Sequence, residues 1–336
     1  MPIISEEGLS VAVIGATGCL GKELVQQLAE KFLIKELYLF ASKRRVGDEI
    51  EVDGDFVSVL DLGEGIPAEI VQNLQVAFFV CPSHIVTKYA PGLAYEGVSV
   101  FDLTGTLGAQ YGYHIAGLTE KLDDFVDSRI CVLPSPTAIA LAKVFFPLKE
   151  LAAWNLQASI GLSASRFGNA GMDELGKQVR ALLSMQDAPQ KLFPEGLAFD
   201  VLPSIGAIQE NGQSATEILL SQELANILDM QEIFFRCSLH VLPIFAGITI
   251  NCQLAFGAEV SVQQITSLLS EDESMVVEDQ VPTLRNVITS PKIYVGRIRS
   301  NPLLQGCDLT IHCDNVSLAI QNALDMLELF QKEDII

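Results

Sequence analysis

The sequence has no long hydrophobic run, although 49% of its 336 residues are hydrophobic. A helix that crosses a membrane needs about 18 or more consecutive apolar residues, and no segment contains them. We therefore predict no membrane span. The amino terminus is acidic and lacks the basic-then-apolar layout of a secretion signal, so we predict a cytoplasmic protein.

Basic residues are scarce, with 21 Lys and Arg against 42 Asp and Glu and a net charge of -21. Such a charge repels phosphate backbones and anionic lipid head groups. The sequence therefore argues against nucleic acid and membrane surfaces as partners.

The chain also lacks a cysteine pair or a histidine cluster with metal-ligand spacing. Its seven cysteines include no C-x-x-C, and its four histidines are far apart. An odd set of cysteines in apolar stretches is typical of buried reduced thiols. We predict neither a disulfide framework nor a metal site.

The first 150 residues alternate short apolar runs with helical patterns, and a chain of this length exceeds one typical core. The predicted strands are 11–15 (VAVIG), 37–40 (LYLF), 56–60, 76–80 (VAFFV) and 98–102 (VSVFD). Strands that alternate with helices at this spacing predict a Rossmann-type, doubly wound parallel sheet.

Beyond Pro147 the pattern changes to longer strands with helices between them, which predicts an α+β domain with a mostly antiparallel sheet. Its predicted strands are 154–162, 232–241, 248–256 and 309–313, and its helices are 171–185, 215–228 and 262–269. We assign residues 1–134, with a returning helix at 316–332, to the first domain and 135–315 to the second.

A glycine-rich loop joins the first strand to the first helix. Gly15, Gly18 and Gly21 are spaced G-x-x-G-x-x-G, a spacing that carries weight only because it lies between a strand and a helix. Gly15 permits the tight turn, Gly18 lets the backbone approach a pyrophosphate, and Gly21 lets the helix lie close to the strand. The loop predicts a dinucleotide site.

The end of the second strand indicates which nicotinamide cofactor binds. An acid at this place holds a ribose 2′-hydroxyl, whereas a basic residue accommodates a 2′-phosphate. Here the strand leads into Ser42, Lys43 and Arg44, with no acid. We therefore predict NADP rather than NAD; an ordinary basic loop is the alternative.

Several segments together resemble aspartate-semialdehyde dehydrogenases, in the family's order and spacing. They are GATGCLG at 15–21, ASKRRVG at 41–47, YAP at 89–91, LAFDVLP at 197–203, NGQSATE at 211–217, VGRIRSNP at 295–302 and the Asp314-Asn315 pair. The resemblance implies a Rossmann domain, a dimerisation and substrate domain, and a homodimer or larger assembly. It also implies NADP-linked reductive dephosphorylation of aspartyl phosphate through a cysteine thioacyl intermediate.

The residues that would perform this chemistry are replaced. Pro136 stands where the resemblance places the nucleophilic cysteine, Leu162 where it places the orienting glutamine, and Ile248 where it places the acid/base histidine. His240 is the nearest polar candidate for the substrate arginine, one place out of register, and the phosphate-binding arginine is missing from 104–108. This pattern is similar to the Usg-type subgroup, which lacks the catalytic cysteine.

No residue is therefore a strong catalytic candidate; the weak ones are Cys81 with His84 nearby, Ser135 and His240. Asp173 and Glu174 are interpreted as residues that cap a helix or lie on its solvent-exposed surface. The loop and the family landmarks together predict these cofactor contacts: Gly15, Thr17, Gly18, Cys19, Leu20, Gly21, Ser42, Lys43, Arg44, Ser83 and Asn315.

Three functions are compatible with this pattern. The first is an NADP-binding homodimer that does not run the parent reaction, a pseudoenzyme that senses cofactor or engages a partner. The second is an NADP-dependent oxidoreductase that acts on an aldehyde or oxo group without thiol chemistry. The third is a non-catalytic partner or scaffold subunit with a relic glycine loop. The intact loop favours the first two, and the replaced substrate groups favour the first.

Overall fold

The computed structural model describes residues 8–63, 65–119, 122–228 and 234–336. The chain divides into two compact units. One comprises the chain through Ser135 together with Ala319–Ile336, and the other comprises Pro136–Leu318.

The first unit is built on a seven-stranded sheet in the order β3-β4-β2-β1-β5-β6-β7. All of its pairs are parallel except the β3–β4 hairpin. The strands are β1 (Leu9–Ile14), β2 (Ile34–Ala41), β3 (Glu49–Val52), β4 (Asp55–Asp61), β5 (Val76–Phe79), β6 (Ser99–Asp102) and β7 (Ile130–Val132). The predicted doubly wound parallel sheet is confirmed, and its central strands are buried along their whole length, as two covered faces require.

In the described ranges, five α-helices connect these strands: α1 (Cys19–Lys31), α2 (Ala68–Val71), α3 (Ser83–Tyr95), α4 (Gly108–Tyr111) and α5 (Asp123–Ser128). On α1 the buried residues are Gly21, Leu24, Val25 and Leu28, the i, i+3, i+4, i+7 stripe of an amphipathic helix.

The second unit contains a six-stranded sheet in the order β11-β12-β13-β10-β8-β9. Its strands are β8 (Ala153–Leu162), β9 (Phe234–Val241), β10 (Ile248–Phe256), β11 (Met275–Glu278), β12 (Ile293–Asn301) and β13 (Gly306–Cys313). Three of its pairs are antiparallel, but β8–β9 and β11–β12 are parallel. Position 232, where β9 was predicted to begin, lies outside the described residues.

The helices of this unit are α6 (Pro136–Leu148), α7 (Gly168–Leu183), α8 (Ala215–Leu228), α9 (Val262–Leu269) and α10 (Leu284–Val287). The last helix, α11 (Asn315–Lys332), belongs to the first unit from Ala319 onward. There the Phe330 ring stacks on Phe125 with centroids 4.0 Å apart, and Asn322 Oδ1 accepts a hydrogen bond from the Ala116 N–H at 3.0 Å. No helix in the described ranges is long and apolar enough to cross a membrane.

The turn that follows helix α7 places a methionine in a strained backbone conformation. The Met185 backbone has φ +55°, and the Gln186 N–H donates to Ala181 O at 2.9 Å, the pattern of a helix end that usually carries glycine. The Met185 side chain is 98% exposed, so it gains almost nothing from packing. We expect Met185→Gly to raise the free energy of unfolding by about 1 kcal/mol, measured by urea titration, because the left-handed conformation costs other L-residues roughly that much.

The control for this change is Ser184→Gly. Ser184 has φ -92°, where glycine relieves no strain and adds flexibility to the unfolded chain. Equal effects of the two substitutions would contradict the explanation.

Candidate functional site

The glycine loop after β1 has the geometry that its spacing predicts. Gly15 has φ +102°, and a Cβ atom on it would lie 2.5 Å from the carbonyl oxygen of Val80. A Cβ on Gly21 would overlap the Gly15 carbonyl oxygen and lie 2.9 Å from Ala16 Cα. Both positions therefore require glycine, the first for its backbone conformation and the second for the close approach of α1 to the loop.

The start of α1 suits an anion. Gly18 precedes the helix in an extended conformation, no side chain caps it, and the first turn contains no acidic residue. The N–H groups at a helix start together with its dipole attract negative charge. The position next to the glycine loop is therefore fit to receive a pyrophosphate.

The loop lies where the strand order of the sheet reverses. Strand β1 is flanked by β2, which follows it in the chain, and by β5 on the other side. The Gly15 N–H donates to Phe40 O at the end of β2 (2.8 Å), and the Val80 N–H donates to Ile14 O (2.9 Å). The loops after β1, β2 and β5 therefore share one sheet edge, the place where open α/β sheets bind ligands.

The basic segment after β2 is exposed at this edge. Ser42, Lys43 and Arg44 are all exposed, and the short turn that contains them has no acid in it. Arg45 pairs with Asp48 at 3.3 Å, whereas Lys43 and Arg44 form no ion pair within the described residues. Two of the three neighbouring cations are thus available to a ligand.

The segment after β5 supplies Cys81 and Ser83 at the same edge. Ser83 is exposed and is the first residue of α3, whose start has no side-chain cap. Cys81 is half-buried; burial and then the Asp102 carboxylate raise the pKa of its thiol to about 12. His84 is exposed and does not offset these effects. The environment of Cys81 is thus the opposite of the one that activates a thiol, and it argues against this weak catalytic candidate.

We expect Cys81 to resist alkylation at neutral pH. With a pKa of about 12, the thiolate fraction at pH 8 is about 10⁻⁴, against about a quarter for an ordinary cysteine thiol. Iodoacetamide labelling followed peptide by peptide with mass spectrometry should show a Cys81 rate that rises about tenfold per pH unit up to pH 10. A rate that levels off below pH 8 would show an activated thiol instead.

Pro136 is the first residue of α6. Proline is well suited to this position because its fixed φ matches the helix and its missing N–H would have no partner within the helix. Ser135 precedes it and is half-buried. The residue at the predicted nucleophile position therefore fits its place in the backbone but offers no reactive side chain.

The other positions that were predicted to carry replacements lie on neighbouring strands of the second unit. Leu162 of β8 is paired with Ile248 of β10 and with Val241 of β9, and all three side chains are buried. His240 lies one residue before Val241, and its Nε2 contacts Ser159 Oγ at 3.0 Å. The sheet thus brings together the two positions that the resemblance gives to the orienting glutamine and the acid/base histidine, and both carry hydrocarbon side chains.

The loop at 104–108 is organised by a buried acid. The carboxylate of Asp102, which is fully buried, accepts hydrogen bonds from Thr104 N (2.9 Å), Thr104 Oγ1 (2.6 Å) and Leu107 N (3.0 Å). Backbone and hydroxyl donors therefore satisfy the carboxylate in a loop whose sequence contains no arginine.

Asn315 begins α11 within the second unit. Its Oδ1 accepts hydrogen bonds from Ser165 Oγ (2.8 Å) and from the Gly247 N–H (3.3 Å). Asp314 before it is buried and accepts from Thr289 N at 2.7 Å and from Ser317 Oγ at 3.1 Å. These contacts fix the start of α11.

Glu174 and Gln178 hold a loop that sequence reasoning did not connect with them. Glu174 is buried rather than decorating the surface, and it accepts the N–H groups of Lys191, Leu192 and Phe193 at 2.9–3.1 Å. Burial would raise the pKa of Glu174, but these bonds outweigh it and lower the pKa below its usual value. Gln178 Oε1 accepts the N–H groups of Leu197 and Ala198 at 2.7 and 3.0 Å. In the sequence, the i, i+4 spacing of Glu174 and Gln178 was the one signal that could have connected them, because it places both on the same face of a helix.

Within the described residues no group of three or more His, Cys, Asp or Glu side chains is arranged to hold a metal ion. None of the seven cysteines, all of which lie in the described ranges, forms a disulfide.

The fold and the loop define a class of protein: a dinucleotide-binding Rossmann unit joined to an α+β unit. The model of the semialdehyde dehydrogenase NAD binding domain matches residues 10–132, and that of the semialdehyde dehydrogenase dimerisation domain matches residues 147–318. The chain belongs to the semialdehyde dehydrogenase family, and the predicted resemblance is confirmed.

The similar proteins include some named as aspartate-semialdehyde dehydrogenases and some named as USG-1 homologs. The chain is 28% identical to the aspartate-semialdehyde dehydrogenase of Rickettsia bellii, over 91% of this chain and 93% of the relative. It is 26% identical to a USG-1 protein homolog of Azotobacter vinelandii, over 97% and 98%. The crystal structure of aspartate semialdehyde dehydrogenase II from Vibrio cholerae superposes with a TM-score of 0.91 at 25% identity, over 97% of this chain and 99% of that one.

Proposed function

We propose that the protein is an NADP-binding homodimer that does not carry out the thioacyl reaction of its enzymatic relatives. The observation that carries this proposal is Pro136, which occupies the first position of α6 at the place that the resemblance gives to the nucleophile. Proline has neither a thiol nor a side-chain proton. Loss of a covalent nucleophile alone costs on the order of a million-fold in turnover.

The surroundings of the replaced groups support the same conclusion. Leu162 and Ile248 present buried hydrocarbon where the parent reaction needs a group that orients the substrate and a group that moves a proton. His240 is engaged with Ser159 at 3.0 Å. A charged phosphorylated substrate would meet no compensating groups at these positions.

The dinucleotide part of the proposal rests on the loops at one sheet edge. The glycine loop Gly15–Gly21, with Thr17, Cys19 and Leu20 in it, would hold the pyrophosphate at the start of α1. Ser42, Lys43 and Arg44 would donate to a 2′-phosphate, which favours NADP over NAD. Ser83 remains a proposed contact of the nicotinamide half, and Asn315 remains a proposed cofactor contact. When bound, the cofactor would supply hydride transfer chemistry.

The homodimer part rests on the second unit, which would carry the subunit interface. One face of its sheet is open and polar: Gln157, Ser159, Asn251 and Gln253 are exposed, and they alternate with buried Ala158, Ile160, Ile250 and Cys252. A cavity of about 880 Å³ lies on this face. We propose that a second copy covers it.

We place the domain boundary near residue 135, with the returning helix in the dinucleotide unit. A cytoplasmic location stays a prediction.

Titration of the purified protein with NADPH and NADH by calorimetry, followed by an assay of aspartate semialdehyde oxidation with phosphate, tests the proposal. We expect NADPH to bind more tightly than NADH and no turnover to occur. Absence of binding at millimolar cofactor would leave only a partner or scaffold role. Turnover would support the second candidate, an oxidoreductase that acts on an aldehyde or oxo group without a thiol, which the intact glycine loop favours over a scaffold.

A further inference from the structure

Phe199 lies in an unusual position in the second unit. Its side chain is 67% exposed, and its backbone has φ +66°. Among the described residues other than glycine that have positive φ, it is the one aromatic. Bulky side chains rarely adopt this backbone region, so the combination of positive φ and an exposed aromatic ring is unusual.

The turn that presents Phe199 is fixed on its inner side. The Asp200 N–H donates to Leu197 O at 3.1 Å, which closes a four-residue turn with Phe199 third, the position that takes glycine when φ is positive. Gln178 Oε1 accepts the N–H groups of the two residues before Phe199, Leu197 and Ala198. Both of these side chains are buried in an apolar cluster with Phe193 and Val241.

The turn is therefore rigid while its most hydrophobic side chain points outward. Backbone strain and exposure both cost stability in an isolated chain, and such costs persist where a function uses them. A rigid aromatic loses little conformational entropy on binding, which is why such side chains dominate the energetics of protein interfaces.

We propose that Phe199 is an aromatic anchor that docks on a second copy of this chain. The inference rests on the homodimer proposed above and names one residue on which that homodimer depends. In a two-fold symmetric interface each copy would contribute its own Phe199, so one substitution removes two anchors.

The loop that carries Phe199 is continuous with the open polar face of the sheet. Leu202 exchanges both backbone hydrogen bonds with Val241 at the end of β9, at 3.0 and 2.9 Å. Further along the same loop, Asn211 and Gln213 line the cavity of the open face together with Arg236. The model of the dimerisation domain spans this whole region, residues 147–318.

Charge complementarity also favours a second copy. Asp200 next to the anchor is exposed, and Arg236 on β9 is exposed and forms no ion pair within the described part of the chain. An acid beside the anchor of one copy would complement a cation on the face of the other. In a chain with twice as many acidic as basic residues, such a cation on the open face favours an acidic partner such as the chain itself.

The test compares Phe199→Ala with Phe199→Tyr in the full-length protein by sedimentation velocity over a range of concentrations. We expect Phe199→Ala to raise the dimer dissociation constant by about 30-fold or more, as loss of an interface anchor does, and Phe199→Tyr to retain the dimer. Phe56→Ala is the matched control: Phe56 is 56% exposed but lies in the first unit, so its removal should leave the dimer intact. Circular dichroism verifies that each variant is folded.

The outcomes separate the two proposals. A wild-type protein that is monomeric at tens of micromolar would overturn the homodimer and the anchor together. A wild-type dimer that is unchanged by Phe199→Ala would overturn the anchor alone. The anchor is overturned as well if Phe199→Ala weakens NADPH binding and leaves the dimer unchanged.

A second measurement detects the proposed contact directly. Benzoylphenylalanine at position 199 keeps an aromatic side chain and, when irradiated, should yield a covalent dimer whose cross-link maps to Pro136–Leu318 of the second copy. Failure to cross-link in a sample that sediments as a dimer would overturn the proposal.

Discussion

Pro136→Cys is expected to create a reactive thiol without restoring turnover. The new cysteine would begin α6, a helix of 13 residues, and the positive end of a helix dipole lowers the pKa of a thiol. Iodoacetamide should therefore modify position 136 faster than Cys81. Phosphate-dependent NADPH formation from aspartate semialdehyde should remain about 10⁶-fold or more below that of a relative with the full catalytic set, because in the proposed assignment Leu162 and Ile248 still replace the orienting and proton-transfer groups.

The matched control is Pro136→Ala, which alters the helix start in the same way but adds no thiol. Faster alkylation of the Cys variant than of the Ala variant would show the new thiol. Absence of turnover in both variants would show that a thiol alone does not supply the orienting and proton-transfer roles. Turnover by Pro136→Cys alone would mean that residues other than Leu162 and Ile248 perform the missing roles, and it would leave Pro136 as the sole support for a non-catalytic wild-type protein.

Reversing the two available cations, in a Lys43→Glu/Arg44→Glu variant, is expected to weaken NADPH binding by about 100-fold or more. Each hydrogen bond between a charged side chain and a phosphate contributes roughly 1.5–3 kcal/mol, and about 1.4 kcal/mol corresponds to a factor of ten. NADH lacks the 2′-phosphate, so its affinity should change far less. Isothermal titration of both cofactors at one ionic strength measures the difference, since salt screens exposed charges.

Arg45→Ala is the control within the same turn. Arg45 already pairs with Asp48, so removing it should alter NADPH affinity only slightly. Equal weakening of NADPH and NADH by the double variant would indicate a damaged loop, and no weakening of either would contradict the assignment of Lys43 and Arg44 to the 2′-phosphate.

The elements that sequence reasoning located best are those whose signal is local. Helices α8 and α9 and strand β10 have the bounds that their patterns predict, because a stripe or an alternation of apolar residues is complete within the segment. Strands β3 and β11 were missed because each has only four residues and few of these are buried, unlike the equally short but fully buried β5 and β6.

The mixed character of the second sheet could not be predicted in the same way. Strands β8 and β9 pair in parallel although α7, a long loop and α8 separate them. Which strands become neighbours depends on how distant segments pack, and the apolar pattern of one strand does not determine its partner.

The sequence by itself determined the dinucleotide loop, the basic turn after β2 and the proline at position 136, since each depends on residue types at fixed spacing. Only the tertiary structure decided that Cys81 lies near a buried Asp102, that Glu174 and Gln178 hold a loop up to 20 residues away, and that Phe199 is presented to solvent. The physical reason is that burial, pKa and exposure are properties of the surroundings, and strand pairing and packing build these from segments far apart in the chain.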